Sequence, residues 1–245
     1  MIFYFTGTGN SLFAARKLLY KNERIVNMAE ALEQGELEYQ LAERERVGFV
    51  YPECCGTIPA TVREFASKLS LQGFGYVFDV VTLAGKHATS PGELRVVLAQ
   101  RGIPLHYADI VTMPNNCVIL ANVQNDEDAK RILQKAEQQL GFLREKLRAH
   151  PTGSTKRAFI GKTMSRLYPN CMSTKKYYAD DRCISCGLCA KRCPSHAIEM
   201  QNGSPVWVKA HCDLCCGCIN RCPVQAIQYG KGTKERRRYV NPILK

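Results

Sequence analysis

The chain has 245 residues, room for two domains of ordinary size. Its 34 basic and 22 acidic side chains leave a formal charge of +12, and residues 151–245 supply all of the excess with 17 basic against 5 acidic groups. Met1 opens a short apolar run at residues 2–5, and no apolar stretch approaches the length of a secretory core or a membrane span, so a soluble cytoplasmic protein with no membrane contact is expected. In that compartment the 13 cysteines stay reduced and point to metal, not to disulfides.

From the N-terminus, apolar runs alternate with helical patterns. The first strand is predicted over residues 2–5 and the first helix over 11–20, with Leu12, Ala15, Leu18 and Leu19 on its inner face. Strands follow near 25–28, 47–51, 76–83 and 106–112, with helices near 58–69, 92–101 and 126–150. The last of these opens with three acids suited to a helix N-terminus. Such repeated β-α-β order predicts an α/β fold, a five-stranded, doubly wound parallel sheet over residues 1–150. Ligands of these sheets bind beyond the strand C-termini.

The turn leaving the first strand is Thr6, Gly7, Thr8, Gly9, Asn10 and Ser11. It is rich in hydroxyls and backbone N–H groups, a combination that suits an anion at a helix N-terminus. A Walker loop would end in Gly-Lys-Ser/Thr, and a dinucleotide fingerprint would have a third glycine where Leu12 stands. The remaining match is the flavodoxin phosphate loop, which this turn resembles; that resemblance implies FMN and a flavodoxin-like fold.

Residues 151–176 are predicted to be a basic linker that includes Lys156, Arg157 and the unassigned Cys171. Residues 177–245 then carry eight cysteines in two copies of C-x2-C-x2-C-x3-C-P: Cys183, Cys186, Cys189, Cys193 and Pro194, then Cys212, Cys215, Cys218, Cys222 and Pro223. Structural zinc sites join two C-x2-C pairs through a long spacer and need no doubled C-P ending. Three thiolates at this spacing wrap three corners of a [4Fe–4S] cube, and the fourth reaches the other cube. Cys183, Cys186, Cys189 and Cys222 are therefore assigned to one cluster, and Cys212, Cys215, Cys218 and Cys193 to the second. The copies lie 29 residues apart and also share arginine (192/221), alanine (197/226) and isoleucine (198/227). Residues 177–229 thus resemble the bacterial two-cluster ferredoxins, a small α+β domain. Cys216 replaces Gly187 in the repeat and is taken as a spare, His196 and His211 as exposed, and Trp207 as core.

Joined in one chain, the two halves resemble the EFR1-type flavodoxin–ferredoxin fusion family. The shared features include Met1 to Ser11, the Pro52, Gly56 and Pro59 loop, Gly85, Gly92, Met113 to Asn116, and Arg238 to Pro242. The resemblance implies that Tyr51, Pro52, Gly56 and Gly85 border the flavin ring. Cys54, Cys55 and Cys117 stand where relatives carry aromatics; Cys54 and Cys55 are read as buried fillers, with reactive thiols as the alternative. The implied function is electron transfer between FMN and two [4Fe–4S] clusters, coupling two-electron and one-electron partners. A flavin-dependent reductase of a small substrate, fed through the clusters, is the alternative. Two oxidised clusters with their thiolates carry about −4, so the basic excess shrinks to a face suited to an acidic redox partner protein. No helix-turn-helix or aromatic-interleaved basic stripe suggests nucleic acid.

Overall fold

A computed structural model describes residues 1–154 and 172–244. The predicted linker falls largely outside the described residues, Lys156, Arg157 and Cys171 with it. Residues 1–154 form an α/β unit around a six-stranded, wholly parallel sheet in the order β2-β1-β3-β4-β5-β6. Its elements are β1 (Ile2–Tyr4), α1 (Asn10–Leu18), β2 (Ile25–Asn27), α2 (Met28–Gln34), β3 (Glu38–Pro52), α3 (Ala60–Lys68), β4 (Ser70–Leu83), α4 (Ser90–Ala99), β5 (Tyr107–Thr112), α5 (Asp126–Lys146) and β6 (Gly153–Ser154).

Three differences from the sequence reading stand out. The sheet has six strands, not five, because the chain leaving α5 adds a two-residue edge strand to β5. The short helix α2 was not foreseen; Asn27 caps it by accepting a hydrogen bond from the Ala29 N–H. Finally, β3 and β4 begin far earlier than their apolar runs, at Glu38 and Ser70. Leu37, Tyr39 and Leu41 alternate with polar residues there, the period of a strand with one solvated face. Irregular register between Gln40 and Arg46 ends that outer section.

Strand alternation sends one set of side chains to each face. Phe3, Phe49, Tyr51, Val77 and Val81 pack with Val62 and Phe65 of α3 and Leu94 and Leu98 of α4. Ile2, Val50, Phe78 and Val80 pack on the opposite side with Leu18 of α1 and Leu140 and Leu143 of α5. Gly48 lets the Phe78 ring cross β3, since a Cβ at that position would lie 2.4 Å from Phe78 Cζ.

The first of these cores encloses a carboxyl group, that of Asp79. Its Oδ2 accepts a hydrogen bond from the Tyr51 hydroxyl at 3.0 Å, while Oδ1 has no partner among the described residues. Burial pushes this carboxyl well above the usual carboxylate range, against the opposing bond from Tyr51. A folded-state pKa above the unfolded one gives stability that is full below the unfolded pKa and is lost as pH rises toward the folded one. Asp79→Asn removes this loss. The variant is expected to gain on the wild type by about 1.4 kcal/mol per pH unit from pH 5 upward until the folded carboxyl ionises. Urea unfolding followed by circular dichroism at several pH values checks this; a pH-independent gap refutes it.

Residues 172–244 build a second, smaller unit from two antiparallel ribbons. β7 (Tyr177–Ala179) pairs with β10 (Ile227–Tyr229), and β8 (Ile198–Gln201) pairs with β9 (Ser204–Trp207). The short helices α6 (Leu188–Lys191) and α7 (Gly217–Arg221) carry the third cysteine of each loop, Cys189 and Cys218. The internal repeat is visible in the backbone. Left-handed residues recur in matched pairs: Ser185 with Leu214, Gly187 with Cys216, and His196 with Gln225. The Ala197 N–H donates to Cys193 Sγ at 3.4 Å, and the Ala226 N–H donates to Cys222 Sγ at 3.3 Å. Trp207 is only half-buried; it stacks on Tyr177 with ring centroids 5.2 Å apart.

Candidate functional site

The eight repeat cysteines fall into two groups that cross between the copies. Cys183, Cys186, Cys189 and Cys222 line one cavity, with Cys218, Arg192, Arg221, Met200 and Ile227 also in its wall. Cys222 and Cys183 both act electrostatically on Cys189. In the other group Cys193 lies within electrostatic reach of Cys212, Cys215 and Cys218. Positive φ at alternate loop positions turns backbone N–H groups inward, and the Leu214 N–H donates to Cys212 Sγ at 3.4 Å. Burial pushes the Cys212 thiol up to about 12 and raises Cys215 and Cys218 as well. Bare thiols in such surroundings stay protonated, whereas a cationic metal core deprotonates its thiol ligands outright. Eight sulfurs in two fours, with N–H groups aimed at them, are a donor set that fits two [4Fe–4S] centres.

The two groups differ in their surroundings. The first opens to solvent, where Cys186 is exposed and Ile184 is 60% accessible. The second is pressed against the C-terminal edge of the parallel sheet, and Cys215 packs on the core of the first unit. Asp213, between Cys212 and Cys215, is fully buried and pins this contact. Its carboxylate accepts from the Thr61 N–H at 2.9 Å and the Thr61 hydroxyl at 2.7 Å, both at the start of α3, and also from the Ser195 hydroxyl. Around the rim, Asn220 donates to the Asn116 carbonyl and accepts from the Tyr239 N–H, each at 2.9 Å.

The predicted phosphate turn is part of this joint. A Cβ on Gly7 would sit 2.3 Å from the Cys215 carbonyl oxygen, and one on Gly9 would sit 2.9 Å from the Asn241 and Leu244 side chains. The Asn241 N–H donates to the Thr8 carbonyl at 2.8 Å. Asn10 donates to the Pro114 carbonyl at 3.0 Å and accepts from the Tyr239 hydroxyl at 2.9 Å and from Asn241 Nδ2 at 3.1 Å. The Ser11 and Thr82 hydroxyls share a bond at 2.7 Å, Thr6 Oγ1 accepts from the Gly9 N–H, and Thr8 Oγ1 accepts from Asn116 Nδ2. Every side chain that would hold a phosphate thus has a partner in the protein itself. The cavity left at the turn is about 30 Å³ and is bordered by Glu53, an anion beside the place an anion would take. Small-molecule pockets run from about 300 to 1,000 Å³.

Of the predicted ring-binding residues, Pro52 borders the cavity at that turn, while Tyr51, Gly56 and Gly85 do not. Tyr51 is fully buried and bonded to Asp79, so its face is no platform for a flavin. Pro52 ends β3, and Gly56 occupies the left-handed corner of a turn closed by two 3.1 Å bonds between Cys54 and Thr57. Glu53 ties this loop to the start of α4, accepting from the Thr89 and Ser90 N–H groups at 2.7 Å each. Gly85 lies exposed beyond β4. Among the described residues the turn and its neighbouring loops do not fit FMN.

Sequence reasoning missed a second set of thiols. Cys54, Cys55, Cys117 and Cys216 meet in one apolar cluster at the joint between the two units, beside several repeat cysteines. The Cys216 thiol donates to the Leu214 carbonyl at 3.4 Å. Its nearness, backbone N–H groups and Arg236 lower the Cys117 pKa against its burial, while Cys117 and burial raise Cys216. No local pattern announces this meeting, since the four residues come from three separated stretches of chain. The basic tail is likewise partly structural: Arg236 donates to the Val118 and Ile119 carbonyls, and Arg238 to the Thr233 and Arg236 carbonyls. His196 and His211 are exposed.

Residues 175–223 match the family described as the 4Fe-4S dicluster domain. The match supports an iron–sulfur, ferredoxin-like electron-transfer role for this segment. No curated protein matches the chain. Among the described residues, no helix is long and apolar enough to cross a membrane.

Proposed function

We propose that the chain is an electron carrier in which Cys183, Cys186, Cys189 and Cys222 hold one [4Fe–4S] centre, and Cys212, Cys215, Cys218 and Cys193 hold another. The observation that carries this reading is the cavity of the first repeat, whose wall is completed by Cys222 from the second. Such centres supply one-electron transfer at low potential. The chain's own contribution is to hold the sulfurs and to set their surroundings. N–H donors at Ala197, Leu214 and Ala226 favour the more negative, reduced state, and so raise its potential. Residues 6–11 and Asp213 hold the second group against the first unit, although Cys193 borders a cavity of about 320 Å³, while Cys186 and Ile184 leave the first open as the outer terminal.

A redox partner with an acidic face would meet Arg192 and Arg221 at this outer terminal, and salt would slow that encounter. The reading includes a reducing, cytoplasmic setting, where iron finds free thiols. The order β2-β1-β3-β4-β5 is that of flavodoxin-like sheets, and it is the support for a flavodoxin-type ancestry of the first unit. Fold alone carries no ligand. The phosphate turn is filled by the cysteine module, so neither FMN coupling nor a flavin-dependent reductase forms part of this reading.

Protein purified without oxygen is expected to contain about eight irons and eight sulfides per chain, with flavin well below one equivalent. Zinc without inorganic sulfide would overturn the cluster assignment. Stoichiometric FMN would reinstate the flavin reading and require the joint at residues 6–11 to open.

A further inference from the structure

We propose that the crevice between α2 and the cysteine module binds a small zwitterion, an amino acid with an apolar side chain. The crevice holds about 320 Å³, within the range of about 300–1,000 Å³ found for small-molecule pockets. It lies at the C-terminal ends of β1 and β2, bordered by Tyr4 and Asn27, whereas the small cavity at residues 6–11 reaches toward β3 and β4 through Pro52 and Thr82. The wall supplied by the module is cationic. Lys191 ends α6, Arg192 caps it and Arg221 ends α7. The two arginines are equivalent positions of the 29-residue repeat, so the duplication brings a pair of guanidinium groups to one cavity. Among the described residues, none of these three side chains has a hydrogen bond or an ion pair.

The wall supplied by the first unit is anionic. Glu30 and Glu33 stand one turn apart on α2 and share a face. Asn27 Nδ2 donates to Glu30 Oε1 at 2.8 Å, while Glu33 has no partner among the described residues. Opposite charges that line one cavity without pairing are the complement of a molecule that carries both. A bare anion would gain the arginines and be repelled by the glutamates, and a bare cation would meet the reverse. A carboxylate suits the planar forks of Arg192 and Arg221, and an ammonium brings three donors to Glu33. Between the walls, Tyr4, Leu12 and Leu244 offer an apolar lining to the side chain of such a ligand. Cys193 stands in the same wall, so an occupant would cover the second centre on the side that this crevice opens to water. That consequence rests on the cluster reading; the binding site itself does not.

The test is equilibrium dialysis of the full-length protein, prepared without oxygen, against labelled phenylalanine and leucine, with saturable binding of at least one of them expected. Two analogues keep the ring and remove one charge each: N-acetylphenylalanine lacks the ammonium, and 2-phenylethylamine lacks the carboxylate. Each is expected to bind about tenfold or more weakly than phenylalanine, the scale of one lost hydrogen bond between charged groups. Arg221→Gln is expected to weaken phenylalanine by a similar factor and to leave 2-phenylethylamine unchanged. Glu33→Gln is expected to weaken phenylalanine and to tighten N-acetylphenylalanine. Glu33 is exposed on α2 of the first unit, so this variant decides the matter even where Arg221→Gln disturbs the module. No saturable binding of either amino acid, equal binding of phenylalanine and its one-charge analogues, or binding indifferent to Glu33→Gln overturns the proposal. Inorganic phosphate that competes with phenylalanine in the wild type and binds no better to Glu33→Gln marks a simple anion site, and overturns it too. Iron and sulfide content is measured on the same samples, so loss of the cluster assignment and loss of the crevice site are read separately.

Discussion

Cys222→Ala is expected to remove the centre anchored in the first repeat and to spare the one anchored in its own. Iron and sulfide fall from about eight each towards about four, and the signal that remains belongs to the buried, second group. The reason is geometric. Cys222 shares a cavity wall with Cys183, Cys186 and Cys189, although it lies in the loop of the second copy. Its sulfur also accepts the Ala226 N–H, so the substitution removes a ligand and leaves that donor unpaired. Cys193→Ala is the mirror experiment, since Cys193 acts on Cys212, Cys215 and Cys218. It is expected to cost more stability, because the second group packs against the first unit and its loss undermines the contact with the sheet. Cys216→Ala, one residue from a ligand, keeps the full iron content. Electron paramagnetic resonance of the reduced variants separates the outcomes. If Cys222→Ala empties the second group and leaves the first intact, the crossed grouping is wrong.

Much of this architecture is legible in the sequence because it is set by short-range chemistry. Cysteine spacing fixes which sulfurs can share a core, and the 29-residue offset exposes the duplication that makes crossing possible. Apolar runs mark the centres of β3, β4 and β5, which lie buried on both faces. Their outer extensions escape notice because charged residues there face water in alternation. The joint between the units was hidden for a different reason. Asn10 and Tyr239 bond across 229 positions, and Thr61 and Asp213 across 152. No periodicity reports a contact of that range. The residues around Tyr239 and Asn241 were noticed only as features shared with a family, and their role is to close over residues 8–10. Gly7 and Gly9 carry a real ambiguity. A glycine required by a bound phosphate and one required by a neighbouring backbone look identical in sequence, since both rest on the missing Cβ.

Gly7→Ala resolves that ambiguity and should be among the damaging single-methyl changes in the first unit. Its Cβ would lie 2.3 Å from the Cys215 carbonyl oxygen and 2.8 Å from Cys215 Cβ. The carbonyl belongs to backbone held by a ligand loop, so it cannot swing away as a flexible side chain would. Gly217 faces it from the other side, where an added Cβ would meet the Gly7 carbonyl at 3.1 Å. Overpacking of this kind costs about 1–3 kcal/mol, which lowers the melting temperature of a chain of this size by several degrees. The damage should be directional. The second centre loses iron first and its signal shifts, while the outer centre keeps its spectrum. Gly141→Ala is the matched control, because a Cβ there meets nothing within 4 Å and the site is an exposed turn of α5. A turn built to cradle a phosphate would respond otherwise: Gly7→Ala would weaken flavin binding and leave both iron centres untouched. Iron quantitation, thermal melts and flavin titration on the two variants therefore distinguish a seat for the cysteine module from a seat for a nucleotide.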